Sequence, residues 1–245
     1  MRYLVLSDIH SNWEALQAVV SAADGLYERI VCLGDLVGYG ADPNPVVDWV
    51  RDHVVAVIRG NHDKACSGKE GLEWFNEIAR DAALWTLRQL NEPNLAYLLG
   101  LRKGPLEADG MTLVHGSILD EDEYVVSPRE AANVFPYLDG KITFFGHTHL
   151  QGGFVQSKGR LMAIRPKPNR GPQYLELRPD DKYLVNPGSV GQPRDGDWRA
   201  AFVVYDSEQG RLDFHRLEYD VVTAQRKIVE AGLPAHLAAR LAVGR

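Results

Sequence analysis

Five times along this chain a short apolar run ends in a small cluster of Asp, Asn, His and Gly. The clusters are Ser7-Asp8-Ile9-His10, Gly34-Asp35, Gly60-Asn61-His62-Asp63, His115-Gly116 and Gly146-His147-Thr148-His149. An apolar run of four or five residues that stops at Gly or Asp reads as a buried strand followed by a turn. In α/β sheets the loops at the carboxyl ends of the strands are where ligands bind. The repetition therefore calls for an α/β fold in which separate strand ends meet in space, and five of the eight histidines lie in these clusters.

The stretches between the clusters read as follows. Residues 2–6 are expected as a first strand, and Ser11 with Glu14 makes a capping-box start for a helix running to about Ala23. Strands are expected at 30–33 and 54–58, a helix from Asn44-Pro45, and one long amphipathic helix over 71–91, stopped by Pro93. A strand at 111–114, a helix opening at Ser127-Pro128 and a strand at 142–145 follow. Beyond them come short strands at 154–156, 161–164, 174–177, 183–185, 201–205 and 211–215, then a closing helix near 221–231. The Pro- and Gly-rich stretch 165–172 reads as a hairpin tip. The expectation is a single domain over 1–245, with 151–182 a hairpin elaboration.

Composition narrows the partners. Lys plus Arg number 27 against 33 for Asp plus Glu, a net charge of −6, so no overall positive field draws in a large nucleic acid. Two cysteines, Cys32 and Cys66, are too few for a disulfide framework and lack the paired spacing of a thiolate metal site; no role is assigned to Cys66. The apolar start Tyr3-Leu4-Val5-Leu6 breaks at Ser7-Asp8, too short for a signal peptide, and no run of about 18 apolar residues occurs. A cytoplasmic protein that does not engage a membrane is the expectation; oligomeric state is not legible.

Imidazole, carboxylate and one carboxamide oxygen, without thiolate, suit borderline divalent metals such as manganese, iron, cobalt or zinc. Seven candidates, Asp8, His10, Asp35, Asn61, His115, His147 and His149, are too many for one tetrahedral site with an open position. Two ions fit better, with Asp35 the natural bridge and a water between them activated for in-line attack.

Taken in order, Asp-x-His, Gly-Asp, Gly-Asn-His-Asp, His-Gly and Gly-His-Thr-His resemble the calcineurin-like metallophosphoesterases over nearly the whole chain. The resemblance implies a four-layer α/β/β/α sandwich of two mixed β-sheets. It implies Asp8, His10 and His149 at one metal, Asn61, His115 and His147 at the other, and Asp35 between them. His62 would then donate a proton to the leaving oxygen, with Asp63 or Asp35 orienting its ring. Leu-Ser-Asp-Ile-His-Ser-Asn, Gly-Asp-Leu-Val-Gly-Tyr-Gly and Asn-Pro-Gly-Ser-Val-Gly look like the small prokaryotic branch, which includes phosphodiesterases and enzymes that cleave dinucleoside polyphosphates. The implied partner is a small phosphorylated substrate, with a nucleotide as one form. A phosphomonoesterase and a non-catalytic metal-binding scaffold are the alternatives; the presence of both Asn61 and His62 favours catalysis.

Outside the clusters, Tyr39 is a candidate to stack on a base or to pack under the loop, and Arg194 to contact phosphate with two bonds or to be a solvated turn arginine. Arg165, Lys167 and Arg170 could hold a polyphosphate tail or form a solvated loop tip. His53, His215 and His236 carry no such pattern and read as structural.

Overall fold

The computed structural model describes residues 1–167 and 173–245. Two six-stranded mixed sheets stack face to face. The first has the order β3-β2-β1-β11-β12-β9, built from β1 (Arg2–Leu6), β2 (Arg29–Cys32), β3 (Ala56–Val57), β9 (Gln173–Glu176), β11 (Ala200–Asp206) and β12 (Arg211–Leu217). The second has the order β4-β5-β6-β10-β7-β8, from β4 (Leu106–Ala108), β5 (Met111–Leu113), β6 (Ile142–Phe144), β7 (Gly152–Ser157), β8 (Arg160–Ile164) and β10 (Lys182–Asn186). In each sheet three neighbouring strands run parallel, β1-β2-β3 and β5-β6-β10, so their carboxyl ends lie along one edge.

Alternation along β1 assigns its two faces. Tyr3 and Val5 point between the sheets, where they meet Val31, Leu33, Ile58, Leu113, Phe144, Val185 and Val203. Leu4 and Leu6 point the other way, onto α1 (Trp13–Ala22), α2 (Pro43–His53), α7 (Val221–Glu230) and α8 (Ala235–Leu241) through Leu16, Val19, Val46, Val50, Ile228 and Leu237. Each fully buried side chain of this size contributes about 1.5–3 kcal/mol. The outer face of the second sheet is covered by α6 (Pro128–Val134) and the 3-10 turn Phe135–Tyr137, packed on Phe145, Phe154 and Leu184. The four layers expected from the sequence are therefore present.

Several local readings need correction. Asn12, not Ser11, caps α1: its side chain accepts from the Ala15 N–H, while Ser11 sits in left-handed backbone and bonds Leu36. The segment 71–91 is not one helix but the 3-10 turn Leu72–Trp74 followed by α4 (Glu77–Gln89), because Asn76 caps a new start at the Ala79 N–H. Pro93 opens α5 (Glu92–Gly100), since Asn91 caps that helix at the Asn94 N–H and a proline in the first turn gives up no helical bond. The helix read as starting at Asn44 begins at Pro43, and Asn44 instead bonds the Gln89 carbonyl and the Asn91 N–H. The segment 151–182 is no single hairpin: β7 and β8 form one, and β9 belongs to the edge of the other sheet. The strands on either side of 165–172 belong to different sheets and do not pair as a hairpin; of this stretch only 165–167 are among the described residues, and Arg170 lies outside them.

Candidate metal centre

The loops after the parallel strands are hydrogen-bonded to one another as a continuation of the sheets. After β1 and β2, Asp8 N–H donates to the Gly34 carbonyl, His10 N–H to Asp35 and Ser11 N–H to Leu36, at 2.9–3.0 Å. The turn after β10 closes the third side, with Val190 N–H on the Ser7 carbonyl and Ser189 Oγ on that of Asp8 at 2.7 Å. His147 N–H donates to Asp8 Oδ1 at 3.2 Å, tying the second sheet to the first. This packing leaves no room for side chains on two turns: a Cβ on Gly60 would stand 2.1 Å from Asp35 Oδ1, and one on Gly146 2.1 Å from Ser7 Oγ. It also holds Asp8, His10, Asp35, His147 and His149 in left-handed backbone, with φ between 50° and 64°. Left-handed backbone at non-glycine residues is held only where surrounding bonds over-determine it, and it gathers at functional sites.

Two overlapping groups result, Asp8, His10, Asp35 and His149 on one side and Asp35, His115 and His147 on the other, the ligand-type atoms of each within 4.8 Å of one another. Asp35 belongs to both. Its Oδ2 lies 3.6 Å from His10 Nε2 and 3.4 Å from His115 Nε2. Asn61, first residue of α3 (Asn61–Cys66), brings Oδ1 to 3.3 Å from His115 Nε2. Across the first group His10 Nε2 and His149 Nε2 are 3.2 Å apart, and Asp8 Oδ1 is 3.3 Å from His149 Nε2. All seven residues read as ligands from the sequence thus stand at one site.

Each ring has its far nitrogen fixed. Nδ1 of His10, His115 and His149 lies 3.0, 2.7 and 2.5 Å from the carbonyls of Val37, Leu33 and Gln192, and Nε2 of His147 lies 3.1 Å from that of Asp122. Such outer bonds fix the tautomer of metal-binding histidines and leave the inner nitrogen as a donor. Burial holds His10 and His149 well below the usual imidazole range and His147 at about 3, so all three are neutral. Burial pushes Asp8 up to about 7, and Asp8 Oδ2 and Asp35 Oδ2 are buried with no hydrogen-bond partner. Against the same burial, the charge on His115 draws Asp35 well below the usual carboxylate range, while Asp35 raises His115 to about 10. Buried carboxylate oxygens without a hydrogen-bond partner, gathered with three neutral imidazoles and with His115, whose charge a cation beside Asp35 would replace, suit a metal centre.

His62 lines the cleft beside this centre. Neither carboxylate expected to orient the ring bonds it: Asp63 accepts the backbone N–H groups of Asp35, Leu36, Val37 and Gly60, and Asp35 Oδ1 accepts the main-chain N–H of His62. The ring is held by packing, its centroid 4.3 Å from that of Tyr39, 4.6 Å from Phe75 and 4.8 Å from His10. Burial lowers its pKa to about 4. Tyr39 is itself buried against His10 and His62 rather than free to take a base. Arg194 stands beside the centre, its N–H on the His149 carbonyl at 3.3 Å. Arg165 and Lys167 line a different cavity, of about 230 Å³, with Asp195, Asp197 and Arg216. The cleft over His62, Asn61 and His147 holds about 410 Å³, and its rim carries Trp74, 83% exposed, and Tyr124, whose ring lies 4.0 Å from that of His147. Asp122, Tyr124 and Trp74 were not legible as site residues, since Asp122 acts through its main-chain carbonyl, which no residue type signals. Cys66 is buried next to the site's scaffold, and burial pushes its thiol well above the usual range.

The fold and the paired ligand groups define a metallophosphoesterase. Residues 1–210 match the calcineurin-like phosphoesterase superfamily domain, and the chain belongs to that family. It is 39% identical over 248 residues to an uncharacterized protein of Methanocaldococcus jannaschii, covering 98% of this chain and 97% of that one. A crystal structure of a metallophosphoesterase from Sphaerobacter thermophilus superposes with a TM-score of 0.89 at 39% identity, covering 100% of this chain and 99% of that one. That of a hypothetical protein from Pyrococcus horikoshii superposes at 0.80 with 18% identity, covering 100% and 98%, and shares the fold. Among the described residues no helix is long and apolar enough to cross a membrane.

Proposed function

We propose that the protein hydrolyses a small phosphodiester or phosphoanhydride with two metal ions, one held by Asp8, His10 and His149, the other by Asn61, His115 and His147, with Asp35 shared. The observation that carries this reading is the position of Asp35 Oδ2, buried, unpartnered and within 3.6 Å of a histidine from each group. Manganese, iron, cobalt or zinc fits the donor set. Bound ions would supply Lewis-acid neutralisation of the phosphoryl oxygens and a water of lowered pKa. The chain's own residues do the rest: Arg194 meets phosphate charge, His62 stands in the cleft wall to hand a proton to the leaving oxygen once the negative charge of bound phosphate offsets the burial that keeps it neutral, and Tyr39 with Phe75 keeps that ring in place. Asp63 acts one layer back, gathering the N–H groups that shape the Asp35 loop. A dinucleoside polyphosphate is one substrate of this class, and a phosphomonoester is the competing one.

The test is metal analysis of the purified protein followed by turnover of bis-p-nitrophenyl phosphate, p-nitrophenyl phosphate and a nucleoside diphosphate. The expected result is two ions per chain and cleavage of the diester or the diphosphate in preference to the monoester. One ion per chain at saturating metal, or no turnover of any of the three, overturns it.

A further inference from the structure

Arg194 and Arg240 are the two arginines drawn to one aromatic ring. Their Cζ atoms lie 5.8 Å and 5.9 Å from the centroid of Tyr39. Tyr39 in turn packs on His10 and His62, so both guanidiniums stand next to the ligand cluster. Most other half-buried arginines reach a carboxylate: Arg59 pairs with Glu121, Arg199 with Asp197 and Arg216 with Asp195. Among the described residues neither Arg194 nor Arg240 has an Asp or Glu partner. Arg194 Nη2 donates to Gln192 Oε1 at 3.2 Å and reaches the Tyr39 hydroxyl at 3.5 Å, while its Nε is buried with no partner. Arg240 donates from Nε to the main-chain oxygen of Arg245, and its Nη groups make no hydrogen bond among the described residues.

One guanidinium over a tyrosine is an ordinary cation–π contact. Two on the same ring, half-buried and without an Asp or Glu beside them, repel each other. Burial lowers the pKa of Arg240 below the usual arginine range, and the charge of Arg194 lowers it further. A ligand carrying a compact double negative charge would relieve this, and a guanidinium matches phosphate oxygens with two parallel bonds.

We propose that Arg240 and Arg194 form an anion subsite beside the metal centre that takes a second phosphate group, so that the site selects phosphoanhydrides over esters with a single phosphate. The inference rests on the hydrolytic reading above. Hydrolysis adds water across the P–O–P link. A new P–O bond forms on the phosphorus at the ligand cluster, the bridging P–O bond breaks with its electron pair on the leaving phosphate, and the two guanidiniums meet the charge that develops there. Water's protons leave to solvent and to the leaving phosphate.

The test has two arms on Arg240→Gln and Arg240→Lys. In the first, calorimetry follows inorganic pyrophosphate binding to the metal-free full chain. Binding about 10-fold or more weaker in Arg240→Gln, with partial recovery in Arg240→Lys, is expected. In the second, the metal-loaded enzyme is given a nucleoside diphosphate and bis-p-nitrophenyl phosphate. Arg240→Gln should lower kcat/KM for the diphosphate by about 10- to 100-fold, as loss of a charge-assisted hydrogen bond does, and move the diester less than about 2-fold. Equal losses on both substrates would make Arg240 a prop for Tyr39 and overturn the subsite, as would unchanged pyrophosphate binding. If pyrophosphate binding depends on Arg240 while the wild-type chain turns over neither substrate, the subsite stands and the hydrolytic reading falls.

Discussion

Asp8, His10 and His149 are walled in by the sheet-end loops, by Tyr39 and by the turn that carries Gln192 and Arg194, and all three are essentially without solvent contact. Asn61 and His147 line an open cleft, with Asn61 half-buried and Tyr124, itself 50% exposed, against the His147 ring, while His115 is buried beneath them. The support differs too. His10, His149 and His115 lean on the carbonyls of Val37, Gln192 and Leu33 in the sheet-end loops, whereas His147 leans on the Asp122 carbonyl, in a loop fastened by Lys64 to Glu121 and Asp122 and by Arg59 to Glu121. One side of the site is thus closed, and the other is reached from the cleft. The proposed chemistry needs both, because the cleft must admit substrate while the other side keeps the geometry.

The substitution that erases the contrast is Asp35→Asn. It removes the shared negative charge, so metal analysis should find both groups depleted, and turnover should fall by at least the about 10²- to 10³-fold that loss of one electrostatic stabiliser costs. Retention of one ion at wild-type affinity would show that the carboxylate serves one group alone.

His62 belongs to neither group, so His62→Ala should leave two ions in place and lower kcat by about 10²- to 10⁴-fold for substrates with poor leaving groups, and by less for activated esters. A uniform loss across a leaving-group series would remove His62 from the proton-transfer step.

Loosening the brace alone is the finer cut. Lys64→Met keeps the buried stem but releases Glu121 and Asp122. A chelator titration should then show the open group binding metal about 10- to 100-fold more weakly, the usual effect of disturbing a ligand's outer partner, with the closed group unchanged.

The smallest effect is a pH dependence of stability from the same brace. Burial pushes Glu121 upward, but the hydrogen bond from Arg59 and the charge of Lys64 hold its carboxyl below the usual range. A depressed folded pKa means the unfolded chain binds the proton first, so this stabilisation is full above the unfolded value of about 4.3 and is lost as pH falls through the folded value. At pH 7 Glu121→Gln should lower Tm by about 2–4 °C, the shift that 1 kcal/mol gives in a chain of this size, and the gap to wild type should close as pH drops below about 4.

How much of this was legible depends on whether the chemistry resides in side chains or in backbone. The ligand residues announced themselves because a His or Asp after an apolar run has few structural duties there. Tyr39 was legible as a wall residue but not in its role, since its partners His10 and His62 lie 29 and 23 positions away. Ser11 satisfied a capping pattern that Asn12 took instead, because the bond from Ser11 to Leu36 draws it into the loop ladder. Pro93 misled for a different reason: a proline both ends one helix and opens the next, and only the Asn91 cap decides which. Helix α8 was missed because a seven-residue helix carries little periodicity, and with it went Arg240.

Strand β1, the centre of the first sheet, has β2 on one side and β11 on the other, pairing Tyr3 with Tyr205 and Val5 with Val203. During synthesis at about 5–20 residues per second, the edge of β1 that faces β11 waits on the order of 10–40 s for its partner to be made. Through that interval Leu4, Val5 and Leu6 present an unpaired apolar edge, a template for the wrong strand. The turn carrying Ser189, Gln192 and Arg194, which completes the closed ligand group, arrives just before β11. The closed ligand group therefore cannot form on an early nascent chain, and the first strand must wait for its partner without it.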